Sequence, residues 1–266
     1  MQNLKSKIDM TNSFNSQEKP LRLITIPISH YCEKARWALT KVKLPYVEEP
    51  HMPPFHRLAT GRVGGKLTPV LITETGAFTD STNILRYLNE VAPDNAKLYP
   101  TNPELRQQVE KLEDLFDDQL GSATRHWGYF YVIDDYKFMQ RRWCQSVPFI
   151  EGALFPVVFP WMRSVVRRGF NITPESAAQA YEQIKSIFEQ VSELLSDGRT
   201  YLVGDSFSAA DITFAALAAP AVLPPEHPMK PVSLQELPPK MASEISAFRE
   251  TPAGAYVLRL YRHRHN

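Results

Sequence analysis

The sequence predicts an α/β domain followed by an all-α domain, on three observations. An alternating apolar run, Leu21–Ile28 (LRLITIPI), leads into His30–Val42, where Ala35, Ala38, Leu39 and Val42 recur at helical spacing. Two short apolar runs, Thr68-Pro69-Val70-Leu71-Ile72 and Gly76-Ala77-Phe78, flank a Glu74-Thr75 turn and precede a capped helix. Beyond Pro103 no convincing strand pattern appears, and amphipathic helical patterns follow one another.

Residues 1–20 are polar, with neither the apolar run of a signal peptide nor the arginines of a transit peptide, and are expected to form a mobile extension. Residues 21–93 make the α/β unit. Its order is strand, helix, a short second strand at Pro45–Glu49, an irregular Pro- and Gly-rich stretch, the hairpin and a helix. Asp80 and Ser81 cap that last helix, which carries Ile84, Leu85, Tyr87 and Leu88. Residues 94–104 read as a linker and residues 105–266 as the helical domain. In that domain Leu105, Val109, Leu112, Leu115, Phe116 and Leu120 mark one amphipathic helix. Thr173-Pro174-Glu175 supplies a cap, a proline at the first helical position and an acid in the first turn. Ser208-Ala-Ala-Asp211 is a capping box, and Thr251-Pro252 opens the last helix. Pro220–Pro239 holds 7 of the 22 prolines and is expected to be a surface loop. The most hydrophobic stretch, Val147–Val166, is cut by Pro148, Pro156 and Pro160 and carries Glu151 and Arg163, so no membrane span is expected.

The chain of 266 residues is 43 % apolar, enough for a sizeable core and too much for a disordered chain. With 30 basic against 29 acidic side chains, the net charge of +1 gives no electrostatic case for nucleic acid or an anionic membrane. Cys32 and Cys144, the 2 cysteines, lie too far apart in sequence to suggest a disulfide framework or a zinc site. Their scarcity favours a reducing, cytoplasmic setting. The acid-rich run Glu110, Glu113, Asp114, Asp117 and Asp118 has no histidine at ligand spacing. It reads as a solvated helix face, and no metal is expected. The basic end Arg259–His265 also reads as solvated.

Four motifs occur in order over roughly residues 21–215. They are a strand followed by Ser29-His30-Tyr31-Cys32 and a helix with Arg36, then Thr68-Pro69-Val70-Leu71, then Asp80-Ser81, then Phe207-Ser208 with Asp211-Ile212. In this combination the chain resembles the soluble glutathione transferases of serine type, with no class assignable. The resemblance implies a thioredoxin-like N-terminal domain, a helical C-terminal domain, and a cis peptide at Thr68-Pro69. It also implies glutathione as co-substrate, a small hydrophobic electrophile and a homodimer. Lys66 stands one position earlier than the family's usual Lys or Gln, and Arg125–Phe170 is longer and more aromatic than usual.

The chemistry required is stabilisation of a thiolate whose free pKa is about 8.5. A hydroxyl at a helix N-terminus can lower that by one or two units. Ser29, at a strand-to-helix junction, fits that role and is equally a preferred helix cap. Cys32, one helical turn on, is the alternative: a thiol that would form mixed disulfides with glutathione, or a buried structural residue. A non-catalytic glutathione or apolar-ligand binding protein is a third reading. By resemblance Thr68 and Pro69 pair with the cysteinyl unit of glutathione, Asp80 and Ser81 hold its γ-glutamyl end, and Lys66 meets its glycyl carboxylate. Tyr31, Trp127, Tyr129 and Tyr131 are candidates for the second-substrate pocket, since aromatic side chains crowd Arg125–Tyr131.

Overall fold

Strands β1 (Leu21–Thr25), β2 (Tyr46–Pro50), β3 (Val70–Thr73) and β4 (Gly76–Phe78) form one sheet in the order β2-β1-β3-β4. This is a computed structural model that describes residues 20–264; the extension expected over residues 1–20 lies, apart from Pro20, outside them. β1 and β2 pair in parallel from Leu21↔Tyr46 to Thr25↔Pro50. β3 runs antiparallel to β1, with Leu23 opposite Leu71, and β4 closes the hairpin. The parallel pair requires a crossover, which α1 (His30–Lys41) supplies. α2 (His56–Gly61) and α3 (Ser81–Val91) complete this unit.

All the regular elements after α3 are helical: α4 (Pro103–Leu115), α5 (Gly121–Val132), α6 (Tyr136–Trp143), α7 (Phe149–Gly169), α8 (Pro174–Leu194), α9 (Ala209–Val222), α10 (Pro239–Glu250) and α11 (Pro252–Arg262). α4 runs into α5 through a wide π turn at Phe116–Leu120. Every residue of α9 except Pro220 is buried, because α1, α4, α5, α10 and α11 pack around it. Its alanines let those neighbours approach closely. The capping box is present: the Asp211 carboxylate accepts from the N–H groups of Ser208 (2.7 Å) and Leu202 (2.8 Å) and from the Tyr256 hydroxyl. Those bonds satisfy a fully buried acid at the start of the central helix.

The structure corrects four sequence-based expectations. Glu113 and Asp117 are not on a solvated face. They turn inward and hold the buried Lys34 ammonium at 2.8 and 2.6 Å, joining α4 to α1. The basic C-terminal end is not wholly solvated either: Arg264 is buried, pairs with Glu33 at 2.9 Å and lies over the Trp37 ring. Pro220 sits inside α9, so the proline loop begins after Val222. Finally, Pro156 and Pro160 do not break the segment around them, which is one 21-residue helix, α7. The two prolines are four residues apart, so both missing N–H groups fall on one solvent-facing side.

Candidate functional site

Thr25 ends β1, and the chain turns at Ser29 in an extended conformation (φ −70°, ψ 118°) before α1 begins. The Ser29 hydroxyl accepts the Cys32 N–H at 3.3 Å. Among the described residues the N–H groups of His30 and Tyr31 meet no acceptor. The positive end of the α1 dipole and two unpaired donors therefore open beside a half-buried hydroxyl. That arrangement is suited to an anion.

The Thr68–Pro69 peptide is cis, and Thr68 is half-buried while Pro69 is buried. Burial pushes the Cys32 thiol up. Arg36, the Ser29 hydroxyl, the Ile26 peptide group and the Thr68 hydroxyl oppose that rise without cancelling it. The β1–β3 register, with Ile24 opposite Val70, brings Thr68–Pro69 beside the turn that leads to Ser29, although 39 positions separate Ser29 from Thr68 in sequence. Cys32 itself has no exposed surface. A third segment, the start of α3, carries Asp80, whose exposed carboxylate accepts from Thr82 N–H (2.9 Å) and Asn83 N–H (3.3 Å). Ser81 follows it, buried, and Lys66 is exposed on the loop leading to the cis peptide.

α4 and α5 wall the far side of α1. The Tyr31 hydroxyl donates to the Asp117 carbonyl at 2.7 Å, within the π turn. His30 Nε2 meets the Gly121 carbonyl at 2.8 Å. A Cβ at Gly121 would overlap the Tyr31 hydroxyl, so the ring can seat only against glycine. Burial raises the Tyr31 phenol to about 12 and lowers His30 to about 3, which leaves both neutral near pH 7. The imidazole, neutral against a carbonyl, must donate from Nε2.

The aromatic run of α5 divides by helical angle. Trp127 is buried and its Nε1–H donates to Glu244 at 2.7 Å, and the Tyr131 hydroxyl donates to the same carboxylate at 3.0 Å. Both of these proposed pocket residues therefore face α10. About 200° around the helix from Trp127, Arg125 faces the Tyr31 ring, with its guanidinium 5.9 Å from that centroid and 4.3 Å from that of Phe170. Tyr129, one turn on, stacks with Phe170. Arg125 was missed as a candidate, although it lies one turn beyond Gly121. Two clefts on the helical surface are not lined by Ser29, Thr68 or Asp80. One, about 450 Å³, lies between α8 and α10 at Tyr181, Phe188 and Phe248; the other, about 290 Å³, lies between α1 and α11 at Trp37 and Leu260.

A small sheet with a serine-led helix and a cis proline, packed on a helical bundle, defines a class, and sequence comparison agrees. The glutathione S-transferase N-terminal domain matches residues 23–96 and the C-terminal domain of the same family matches residues 174–242. The chain belongs to the glutathione S-transferase family. No curated protein sequence matches it at a significant level. Among solved structures it is similar to a glutathione S-transferase of Ceriporiopsis subvermispora crystallised with glutathione, at 19 % identity, covering 93 % of this chain and 98 % of that one (TM-score 0.62). A glutathione transferase of Phanerochaete chrysosporium matches at 16 % identity, with the same two coverages, 93 % and 98 %, and a TM-score of 0.61. The beta-etherase LigF of a Sphingobium strain matches at 19 % identity, covering 91 % and 99 %, with a TM-score of 0.57. At these identities the likeness is one of fold.

Proposed function

We propose that the chain is a glutathione transferase in which Ser29 holds the thiolate of glutathione for attack on a small hydrophobic electrophile. One observation carries this reading: the Ser29 hydroxyl and the two unpaired N–H groups of α1 stand beside the cis Thr68–Pro69 segment. Glutathione lies extended along Thr68, its γ-glutamyl end at the start of α3 with Asp80 and Ser81, its glycyl carboxylate towards Lys66. The thiol proton leaves to solvent, the thiolate sulfur attacks carbon, and the leaving group departs with the bonding electrons. Tyr31 and Tyr129, with Arg125 between their elements, border the electrophile. The disulfide-exchange alternative through Cys32 loses support, because a buried thiol held above its usual pKa is a poor nucleophile. A cytoplasmic, homodimeric detoxification enzyme is the corresponding cellular reading.

The test is the pKa of bound glutathione, read from thiolate absorbance. Ser29→Ala should leave affinity nearly unchanged, raise that pKa by one to two units and slow conjugation of an aryl halide at neutral pH about ten- to a hundredfold. Higher pH should restore most of the rate, since solvent then does the ionising. An unchanged pKa in a folded variant would remove Ser29 from the chemistry. Absence of glutathione binding in the parent protein would end the reading altogether.

A further inference from the structure

The solvent side of α7 is apolar from Phe149 to Trp161. Phe149, Ile150, Val157 and Trp161 are 89 %, 71 %, 78 % and 58 % exposed, and Leu154 and Val165 are each 39 % exposed. Ala153, Pro156 and Pro160 fill the positions between, and no polar or charged side chain is exposed on this helix before Arg163, whose side chain is 43 % exposed. The stripe runs about 24 Å. Side chains of this size present on the order of 600 Å² together, the upper end of what the largest patch on a soluble monomer shows. The opposite face is spoken for: Phe155 and Phe159 pack with Tyr136 and Trp143 of α6, and Met162 and Val166 are buried beside them. Glu151, the only acid of α7, is also turned inward, to His51 Nδ1 at 2.6 Å and the Met52 N–H at 2.9 Å.

The charge on α7 sits at one end. Arg163, Arg167 and Arg168 occupy its last two turns, and among the described residues only Asp134 answers them, at 3.6 Å from Arg163 and 2.5 Å from Arg167. A second copy of the helix is a poor match. Parallel pairing would set arginines against arginines. Antiparallel pairing would bring them to the partner's positive helix N-terminus, where the one acid of the first turn, Glu151, is buried. An anionic lipid surface complements both features, taking the apolar stripe at the acyl boundary and the arginines among the headgroups. Trp161 has the apolar body and polar tip that favour that depth. Crossing the bilayer does not fit. The helix has the length and mean hydropathy (1.3) to span, but 28 % of its apolar window is buried against the rest of the protein, and Glu151 tethers it.

We propose that α7 is a peripheral membrane-binding element, lying in the plane of an anionic phospholipid surface with Ile150, Val157 and Trp161 inserted. The proposal stands independently of the catalytic reading. The chain carries its own probe, because Trp37, Trp127 and Trp143 are buried and Trp161 is the one exposed tryptophan. Full-length protein is mixed with vesicles of phosphatidylcholine alone or of phosphatidylcholine with phosphatidylserine. With the anionic vesicles it should sediment and its tryptophan emission should shift to the blue; raised salt should weaken the binding several-fold. Trp161→Phe should sediment yet lose the shift. Val157→Glu should stay in the supernatant with unchanged circular dichroism and melting temperature, and Arg163→Glu with Arg168→Glu should bind at least fivefold more weakly. Protein that remains in the supernatant with both vesicle types overturns the proposal. So does an emission shift that follows protein concentration without lipid, with a step in sedimenting mass that Val157→Glu abolishes, which would give the stripe to a second copy.

Discussion

Two turns of α1 place polar groups close together and treat them in opposite ways. In the second turn, Lys34 is buried and answered on every side: Glu113, Asp117 and the Thr82 hydroxyl (3.1 Å) meet its ammonium, and the Tyr99 hydroxyl takes the far oxygen of Glu113 at 2.7 Å. At the first turn, Ser29 is half-buried and two N–H groups are left without acceptors. Paired charges that exclude water hold elements together; unpaired donors at a surface are available to a ligand. The contrast separates the part of α1 that fastens the two halves of the molecule from the part that can do chemistry.

The largest effect should come from breaking the closed turn. Lys34→Met leaves two carboxylates facing each other with no cation, and loss of one partner from such a buried set costs about 3–5 kcal/mol. Burial already raises Asp117, with Lys34 the chief opposing influence, so its removal should drive that acid further towards protonation. Urea unfolding monitored by circular dichroism measures the cost. A loss below about 1 kcal/mol would mean that water reaches the cluster and that it behaves as a surface ion pair. Adding Glu113→Gln to Lys34→Met should recover part of the stability, because one of the stranded charges is then gone.

A smaller effect, and one that depends on pH, belongs to His30 at the join between the two turns. Its folded pKa is lowered to about 3 by burial, with Arg125 adding to the fall, against about 6.5 for a free imidazole. Between those values the unfolded chain binds a proton that the folded chain refuses. Stability is therefore full above about pH 6.5 and falls as the pH drops towards 3. His30→Gln can still donate to the Gly121 carbonyl but cannot titrate. Its melting temperature should decline less between pH 6.5 and 4 than that of the parent. Equal declines would place the acid sensitivity elsewhere.

The fold was legible because its signals are local. The caps at Asp80, Thr173 and Ser208 and the turn at Glu74-Thr75 sit where elements begin and end, and the run Leu21–Ile28 holds the first strand, which stops at Thr25. The motifs that gather at the candidate site could be read in the sequence, and the direction its wall residues take could not. Trp127 and Arg125 are two residues apart in one aromatic run, yet helix rotation sends the first to Glu244 and the second to Tyr31. Which way each points depends on the π turn that sets the register of α5, and nothing in Phe116–Leu120 announces it. The Lys34 cluster was missed for a related reason. Its members come from four separate segments, and an acidic run looks the same in sequence whether its buried partner is a lysine or water.

The smallest expected effect is the sharpest test of whether Ser29 or Cys32 carries the proposed chemistry. Cys32 lies one helical turn from Ser29, and its backbone N–H bonds to the Ser29 hydroxyl, so chemistry carried by either would be hard to tell apart by proximity. Burial separates them. The thiol is enclosed and held above its usual pKa, whereas Ser29 is only half-buried. Cys32→Ala keeps the backbone donor and removes only the sulfur. Conjugation rate and the pKa of bound glutathione should both stay within about twofold and a few tenths of a unit, the scale of a small packing change. In the parent protein, iodoacetamide should leave Cys32 unmodified until the fold opens, and denaturant should expose it. Rapid alkylation of the native protein, with activity lost in step, would mean that the helix turn admits solvent and would transfer the chemistry from a glutathione thiolate held by Ser29 to the Cys32 sulfur.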